Sequence, residues 1–413
     1  MPSCLEPILS SPGWELLQAW ESRPERASTD PLALGRALRR SGVSPETAAA
    51  VLGQLALRDR AEAKFGDFAR SMIFTRDGLE QATRLVVAAL HARRYVDSGA
   101  TRVADLGCGI GADAMAMAGL GLGVLAIDID DEAAAAAAVN LRAFPDARVE
   151  LGDATDLDPQ DLTARGVDAI YADPARRTGA ARGSTRLHDP ESWSPPLSAV
   201  LAWSESIPRV GAKLAPGIDH SALPGDWRAE WTSVDSDLVE AAVWSPDLAP
   251  EGPGRTAVVI RSGRAHRLSD PDVRRADAPV PAAPVGPLGS VIAEPDAAVI
   301  RSGCVARLAA DLGAHCVSER IAYLTGDDLP ASPFVRRFEV VDAVALRPKA
   351  ITAALRAMGA GRVEIKKRGA DIDPAALRAR LSLTGDADAV VIATRLEGRH
   401  RAIIAIRCDN RAR

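Results

Sequence analysis

The sequence predicts an α/β protein with an N-terminal helical region, a doubly wound parallel sheet and a C-terminal α/β domain. Strand and helix patterns alternate from about residue 96, acidic residues end the predicted strands, and a basic stretch with its own strands and helices closes the chain. We expect this division: helical region 1–95, sheet domain 96–265, proline-rich linker or loop 266–288, connecting α/β segment 289–330 and basic domain 331–413.

The composition indicates a globular protein with a large core. The chain has 413 residues, of which 47% are hydrophobic and 25% are charged, which suits two or three domains and excludes disorder. The cysteines are odd in number and scattered, without a CxxC pair: Cys4, Cys108, Cys304, Cys316 and Cys408. This spacing argues against a disulfide framework and against a zinc site, so we expect no metal.

No segment has the pattern of a secretion signal or a membrane span. The N-terminus lacks a basic stretch followed by an apolar one, and no apolar run approaches the roughly 18 residues that a membrane helix needs. We therefore expect a cytoplasmic protein with no membrane partner. The sequence does not specify an oligomeric state.

The first 95 residues have helical patterns throughout. The segment 14–20 is amphipathic, and Ser44 followed by Pro45 is typical of a helix start, because proline fits the first helical turn. Thr75 can cap a further helix that runs to about Tyr95, just before the first predicted strand.

The sheet domain is predicted from five strand patterns separated by helical ones. They lie at residues 102–105, 123–128, 147–151, 167–171 and within 207–214. Two later segments, 240–244 and 255–260, have the pattern of a terminal antiparallel pair.

Four aspartates stand at or just after the ends of the first four strands. Asp105, Asp128, Asp153 and Asp173 are 23, 25 and 20 residues apart, as successive βα units would place them. Because the carboxyl ends of parallel strands meet at one edge, we expect these side chains to line a ligand site there. A single strand-end aspartate is ordinary loop chemistry, whereas four in register favour a site.

A glycine loop follows Asp105 directly. Gly107, Gly109 and Gly111 allow the backbone to approach a bound nucleoside closely. With Ala112 the loop also satisfies the dinucleotide form GxGxxA, for which Asp128 would bind the ribose. The Asp105 carboxylate attracts the cationic cofactor S-adenosylmethionine (SAM) and repels a pyrophosphate, so charge favours SAM; an NAD(P)-dependent oxidoreductase stays open as an alternative.

This order of motifs resembles the Rossmann-like sheet of class I SAM-dependent methyltransferases over residues 70–262. The resemblance implies SAM as the cofactor, with Asp105 and the glycine loop holding its methionine part and Asp128 its ribose. It implies that Asp153 accepts from the adenine amino group while the amide of Ala154 meets the ring. It also implies weak cofactor contacts from residues before the first strand, namely Phe74, Thr75 and Gln81.

The segment Asp173-Pro174-Ala175-Arg176 resembles the DPPY-like motif of methyltransferases that modify nucleobase nitrogens. It departs from that motif at the second proline and at the aromatic residue. The resemblance implies catalytic roles for Asp173, Pro174 and Arg176. Arg177 is a further candidate for substrate binding, and Trp193 is a candidate platform for a base, although a tryptophan packed at the domain edge explains it equally well.

The C-terminal segment 363–369, with 294–296 and 321–326, resembles a THUMP-like domain attached to a bacterial, notably actinobacterial, methyltransferase family. Classical THUMP domains bind RNA, so the resemblance implies an RNA substrate, tRNA or rRNA. Residues 331–413 contain 17 Lys plus Arg against 9 Asp plus Glu, a net charge of +8, whereas the whole chain carries −5.

Three consecutive basic residues, Lys366, Lys367 and Arg368, end a predicted strand in this domain and are candidates for phosphate contacts. A basic surface that only aids solubility is the alternative. If that holds, the acceptor of the methyl group is a small molecule or a protein.

Overall fold

The computed structural model describes residues 5–23, 30–40, 42–175 and 189–408. Its contacts divide the chain into two compact units, Met1–Leu214 with Ala242–Gly252, and Ala215–Ala241 with Pro253–Arg413. Among the described residues, no helix is both long enough and apolar enough to cross a membrane.

The first unit begins with helices whose starts follow the capping rules. They are α1 (Glu6–Leu9), α2 (Ser11–Glu21), α3 (Pro31–Arg39), α4 (Pro45–Phe65), α5 (Arg76–Gln81) and α6 (Leu85–Asp97), with a 3-10 helix at Gly66–Ser71. Ser44 and Thr75 each accept a hydrogen bond from a backbone N–H of the first turn, as the sequence predicts.

These helices share one hydrophobic core with the sheet that follows them. Buried Leu55, Phe65 and Tyr95 belong to the same cluster as Val103 and Met117. The contacts therefore place no boundary between compact units near residue 95, where the sequence predicts a domain boundary. The five-part division stays a prediction.

The parallel sheet of the first unit is doubly wound, and the predicted α/β fold is confirmed. Its strands are β1 (Arg102–Leu106), β2 (Gly123–Asp128), β3 (Ala147–Leu151), β4 (Ala169–Ala172) and β5 (Arg209–Leu214), in the order β3-β2-β1-β4-β5. The helices between them are α7 (Ala112–Gly119), α8 (Asp131–Leu141), α9 (Pro159–Ala164) and α10 (Leu197–Trp203). Because β1 lies centrally beside both β2 and β4, the loop after β1 opens at the point where the strand order reverses.

The following strands are β6 (Arg228–Val234), β7 (Asp237–Trp244), β8 (Gly254–Arg261) and β9 (Arg264–Ser269), and their order is β7-β6-β8-β9. The predicted antiparallel pair of 240–244 with 255–260 is wrong, because β6 lies between them and runs parallel to β8. The sequence analysis missed β6 because its buried residues include Arg228 and Glu230. These two charges are hydrogen-bonded to Thr256 and Arg267.

A second sheet fills the rest of the second unit. Its elements are β10 (Val291–Pro295), α11 (Ala297–Arg301), α12 (Val305–Leu312), β11 (His315–Ser318), β12 (Ile321–Gly326), β13 (Val335–Ala345), α13 (Pro348–Ala357), β14 (Ala360–Lys367), α14 (Pro374–Ala379), β15 (Ala387–Leu396) and β16 (Arg399–Arg407). The strand order is β11-β12-β10-β13-β16-β15-β14, so the connecting segment and the basic domain share one sheet through the pairing of β10 with β13. The proline-rich segment 270–290 contains no helix or strand.

One buried side chain ties the helical region to the glycine loop. Asn140 in α8 accepts a hydrogen bond from the Ile73 N–H at 2.7 Å and donates to the carbonyls of Ile73 at 3.0 Å and Ile110 at 2.8 Å. It is 5% exposed, so water cannot replace these bonds.

We expect Asn140→Ala to lower the free energy of unfolding by about 3 kcal/mol, because it leaves three buried backbone groups without a partner. Urea unfolding followed by circular dichroism measures the change. The exposed Gln160 in α9 is the control, and Gln160→Ala should change the same quantity by less than about 0.5 kcal/mol. Equal effects of the two substitutions would contradict the bridging role of Asn140.

Candidate active site

The carboxyl edge of the parallel sheet brings the strand-end aspartates together. Asp105 in β1, Asp128 at the end of β2 and Asp173 after β4 are close together: after burial and the charge of Asp113, the charges of Asp173 and Asp128 also raise the pKa of Asp105. Asp153 follows the neighbouring strand β3, where Gly152 N–H donates to the carbonyl of Asp128 at 2.9 Å. All four residues stand at or just after the carboxyl ends of their strands, as the spacing predicts, and their roles in binding stay predictions.

The glycine loop is shaped by backbone conformations that only glycine adopts easily. Gly107 has a φ of 80°, and a Cβ there would lie 2.8 Å from the carbonyl oxygen of Asp173. Gly109 has a φ of 56° and donates its N–H to Asp128 Oδ2 at 2.7 Å. Gly111, with a φ of 81°, is the residue before α7. Any side chain at Gly107 would push the loop away from Asp173.

Asp128 and Asp153 accept hydrogen bonds from residues of their own loops. Asp128 Oδ1 accepts from the Asp130 N–H at 2.9 Å, and burial is the main cause that raises the pKa of Asp128. Asp153 Oδ1 accepts from the N–H and the hydroxyl of Thr155 at 2.8 and 2.7 Å. Ala154 begins the short 3-10 helix Ala154–Asp156.

Asp105 is the buried member of the group. It is 1% exposed, and its Oδ2 atom has no hydrogen-bond partner among the described residues. Burial, and after it the charge of Asp113, raises the pKa of this carboxyl well above its ordinary value. A buried carboxylate oxygen without a donor is costly unless a cation or a donor reaches it.

Asp173 is paired with a lysine that the sequence analysis missed. Lys213 in β5 donates from Nζ to Asp173 Oδ2 at 2.8 Å, to Thr83 Oγ1 at 3.2 Å and to the carbonyl of Gln81 at 3.3 Å. The signal was present, because Lys213 is a charged residue near the carboxyl end of an apolar strand, as Asp105 is in β1.

A buried polar cluster lies behind Asp105 and was also missed. His91 Nδ1 is 2.8 Å from Asp113 Oδ1 and 3.1 Å from the hydroxyl of Tyr171. Burial opposes ionisation of Asp113, but the hydrogen bond and charge of His91 hold its pKa below the ordinary value. These residues come from α6, α7 and β4 with no regular spacing, so the sequence gives no signal for the cluster.

The predicted substrate contacts around Asp173 have different outcomes. Pro174 directly follows Asp173, whereas Arg176 and Arg177 lie outside the described residues. Trp193 is 3% exposed, so its ring is packed in the core and does not present a face to a base. The expectation of an open aromatic platform is corrected on this point. Next to Trp193, Ser194 and Ala175 exchange backbone hydrogen bonds at 2.8 and 3.1 Å.

Phe74, Thr75 and Gln81, the weak cofactor candidates before β1, make contacts with other residues of the protein. Phe74 is fully buried with its ring centroid 5.6 Å from that of Phe65, and Thr75 caps α5. Gln81 contributes its backbone carbonyl to Lys213. Among the described residues, no group of three or more His, Cys, Asp or Glu side chains could hold a metal ion.

The basic cluster 366–368 is engaged within its own unit. Lys366 is 2.8 Å from Glu294 Oε2 and 3.2 Å from Glu364 Oε1, with its side chain 13% exposed. Lys367 donates to the carbonyl of Ile372 at 2.8 Å, and the Arg368 guanidinium lies 5.4 Å from the centre of the Tyr323 ring. Two glutamates already pair with Lys366, so they compete with a phosphate for its ammonium, and the phosphate contact stays a prediction.

A different basic surface lies around α13. A shallow cavity of about 360 Å³ is lined by Lys349 and Arg356 of α13 and by Arg380, which follows α14. Arg356 also donates to the carbonyl of Ser382 at 2.8 Å, which fixes its guanidinium at the cavity wall.

Three family models match separate parts of the chain. The model described as methyltransferase small domain matches residues 68–184, and the model described as THUMP domain-like matches residues 335–407. A domain of unknown function matches residues 3–61. The resemblance to SAM-dependent methyltransferases and the resemblance to a THUMP-like domain are therefore confirmed.

Whole-chain comparisons agree with these matches. Two curated proteins from Mycobacterium tuberculosis, from strains CDC 1551 / Oshkosh and ATCC 25618 / H37Rv, are each called an uncharacterized S-adenosylmethionine-dependent methyltransferase. Each is 34% identical over 349 residues, which cover 82% of this chain and 90% of the relative. The crystal structure of a candidate methyltransferase from Porphyromonas gingivalis W83 shares the fold, with a TM-score of 0.73, 20% identity, and coverage of 97% of this chain and 100% of that one.

The raised pKa of Asp105 predicts a pH-dependent loss of stability. Below the ordinary pKa of an aspartate both the folded and the unfolded chain hold the proton, and as pH rises the unfolded chain ionises first, so stability falls. Asp105→Asn cannot ionise, and its advantage in free energy of unfolding over the unmodified protein should therefore grow from about pH 4.5 to about pH 8. Urea unfolding at the two pH values measures it. The exposed Asp161 of α9 supplies the control Asp161→Asn, and parallel pH dependence of all three proteins would refute the prediction.

Proposed function

The chain belongs to the family of S-adenosylmethionine-dependent methyltransferases that includes the two Mycobacterium tuberculosis relatives, and from this premise we propose that it methylates a nucleobase nitrogen in RNA. It is an enzyme, and its cofactor is SAM. The observation that carries the proposal is the position of Asp173, whose backbone lies against Gly107 and whose carboxylate keeps one oxygen, Oδ1, to which no described residue donates. The THUMP domain-like match and the net charge of +8 support RNA, tRNA or rRNA, as the substrate.

The residues present fit SAM. Asp105 offers a buried carboxylate oxygen without a donor among the described residues, and SAM carries an ammonium and a sulfonium that can satisfy it. Gly107 lets the loop lie directly against the backbone of Asp173, where a Cβ would clash with the carbonyl oxygen. An NAD(P) cofactor would instead bring a pyrophosphate towards Asp105, and the family of the chain removes that alternative.

We assign the remaining cofactor contacts by position at the sheet edge. Gly107, Gly109 and Gly111 would hold the methionine part together with Asp105. Asp128 would bind the ribose hydroxyls, and Asp153 with the amide of Ala154 would meet the adenine.

Positioning is the main task of the residues on the acceptor side. When bound, SAM supplies a methyl group on a positively charged sulfur, which is already reactive towards a nitrogen lone pair. Asp173 would accept a hydrogen bond from the acceptor N–H and so direct the lone pair along the line of transfer. Pro174 would fix the backbone that follows it, and Arg176 and Arg177 would contact the base or a phosphate.

On the RNA side, we propose that the cavity beside α13 makes phosphate contacts. Lys349, Arg356 and Arg380 present three cations there, whereas Lys366 is held by two glutamates. The internal pairing of Lys366 favours a second candidate, a small-molecule or protein acceptor. We propose the cytoplasm as the site of the reaction, since the scattered cysteines suit a reducing compartment.

Asp173→Ala should lower methyl transfer to RNA by about 100-fold or more, because the acceptor loses its positioning contact, while the dissociation constant of SAM changes by less than about threefold. The assay uses labelled SAM with total RNA from cells that lack the enzyme, and nucleoside analysis then identifies the labelled base. Asp161→Ala on the exposed face of α9 is the control. Undiminished labelling by Asp173→Ala would exclude Asp173 from the reaction, and absence of RNA labelling by the unmodified enzyme would exclude RNA.

Replacing Lys349 and Arg380 together by Ala should weaken RNA binding and reduce the slope of log affinity against log salt by about 2, since two phosphate contacts are lost. Filter binding of total tRNA at several salt concentrations measures the slope. Lys366→Met, which removes a cation paired with Glu294 and Glu364, should leave the slope unchanged. The opposite pattern would return the phosphate contact to the 366–368 cluster.

A further inference from the structure

Lys213 is a buried cation whose hydrogen bonds fix its direction. Its side chain is 7% exposed, and Nζ donates to Asp173 Oδ2, to Thr83 Oγ1 and to the carbonyl of Gln81. The position of the ammonium is therefore set by the segment between α5 and α6 as much as by β5.

The pair of Lys213 and Asp173 lies among other negatively charged side chains. After burial, the charges of Asp113, Asp173 and Asp128 raise the pKa of Asp105, and the charge of Asp173 is among the causes that raise the pKa of Asp128. An ammonium 2.8 Å from Asp173 Oδ2 offsets that repulsion where it is bonded.

Thr83 connects the pair to the buried cluster. Besides Lys213, its hydroxyl side chain bonds with Asp113, which in turn pairs with His91. Thr83 is 5% exposed, so this connection is shielded from water. The ammonium is consequently linked through Thr83 to the buried pair of Asp113 and His91.

We propose that Lys213 is a positioning residue for methyl transfer: it binds Oδ2 of Asp173, offsets the charge of that carboxylate and leaves Oδ1 for the acceptor nitrogen. The role of Asp173 in this inference rests on the proposed function. Lys213 itself touches neither acceptor nor methyl group in this account and acts through Asp173.

The first test needs no acceptor. In protein labelled with ¹³C at aspartate carboxyl groups, the Asp173 signal is assigned by its loss in Asp173→Asn. Lys213→Met should move this signal. Lys366→Met is the matched control, because Lys366 is likewise a shielded lysine, with its side chain 13% exposed, and its ammonium pairs with Glu294 and Glu364 instead of Asp173. It should leave the Asp173 signal in place.

The second test is kinetic and uses labelled SAM with total RNA from cells lacking the enzyme. Lys213→Met should lower kcat by about 100-fold with the KM for SAM changed by less than about threefold. Lys213→Arg keeps the positive charge but changes the shape of the side chain, so its kcat should be about tenfold higher than that of Lys213→Met. In the Asp173→Ala background, Lys213→Met should cause little further loss, because a residue that acts through Asp173 has nothing left to position.

The outcomes separate the two proposals. An unchanged Asp173 signal in Lys213→Met, or a full additional loss of kcat in the Asp173→Ala background, overturns the positioning role. If the unmodified enzyme does not label RNA, the proposed substrate fails, and the carboxyl signal still decides whether Lys213 holds Asp173. A moved signal with the predicted kinetic pattern supports both.

Discussion

The repulsion between carboxylates gathered at one sheet edge is the constraint on which the site depends. Asp105, Asp128 and Asp173 converge there, with Asp113 behind them, and Asp105 is fully buried. Such a group is tolerable only if backbone N–H groups, cations or a bound cationic ligand compensate it. Gly109 and Asp130 supply N–H groups to Asp128, and His91 pairs with Asp113. One oxygen of Asp105 is left without a donor from the described chain.

This constraint explains why the N-terminal helices and the sheet form one compact unit. The helical region supplies His91 from α6, Thr83 from the segment before it, and the Gln81 carbonyl that holds Lys213. Asn140 connects the same region to the glycine loop. The helices therefore complete the polar lining of the edge as well as extending the core.

The sequence revealed the parts of the site that follow from strand periodicity. Strand-end spacing located Asp105, Asp128, Asp153 and Asp173, and the glycine pattern located the loop. Contacts that depend on how distant segments pack could not be predicted: the His91 cluster spans three elements without regular spacing, and the local sequence around Trp193 gives no signal for its burial.

Charged residues were misjudged for a related reason. A charge in a sequence suggests solvent or a polyanion, whereas Lys366 is paired with two glutamates, and Arg228 and Glu230 lie buried in β6 through their own partners. Only the three-dimensional pairing shows which cations remain available, and it shifts attention from the 366–368 cluster to α13.

Calorimetric titration with SAM tests the central claim, that the buried Asp105 oxygen is completed by a cationic cofactor. The account predicts that the unmodified protein binds SAM and not NAD or NADP, and that Asp105→Asn weakens SAM binding by about tenfold or more, since a charge-assisted contact is lost. Equal affinity of Asp105→Asn and the unmodified protein for SAM, or tight binding of a dinucleotide, would contradict it.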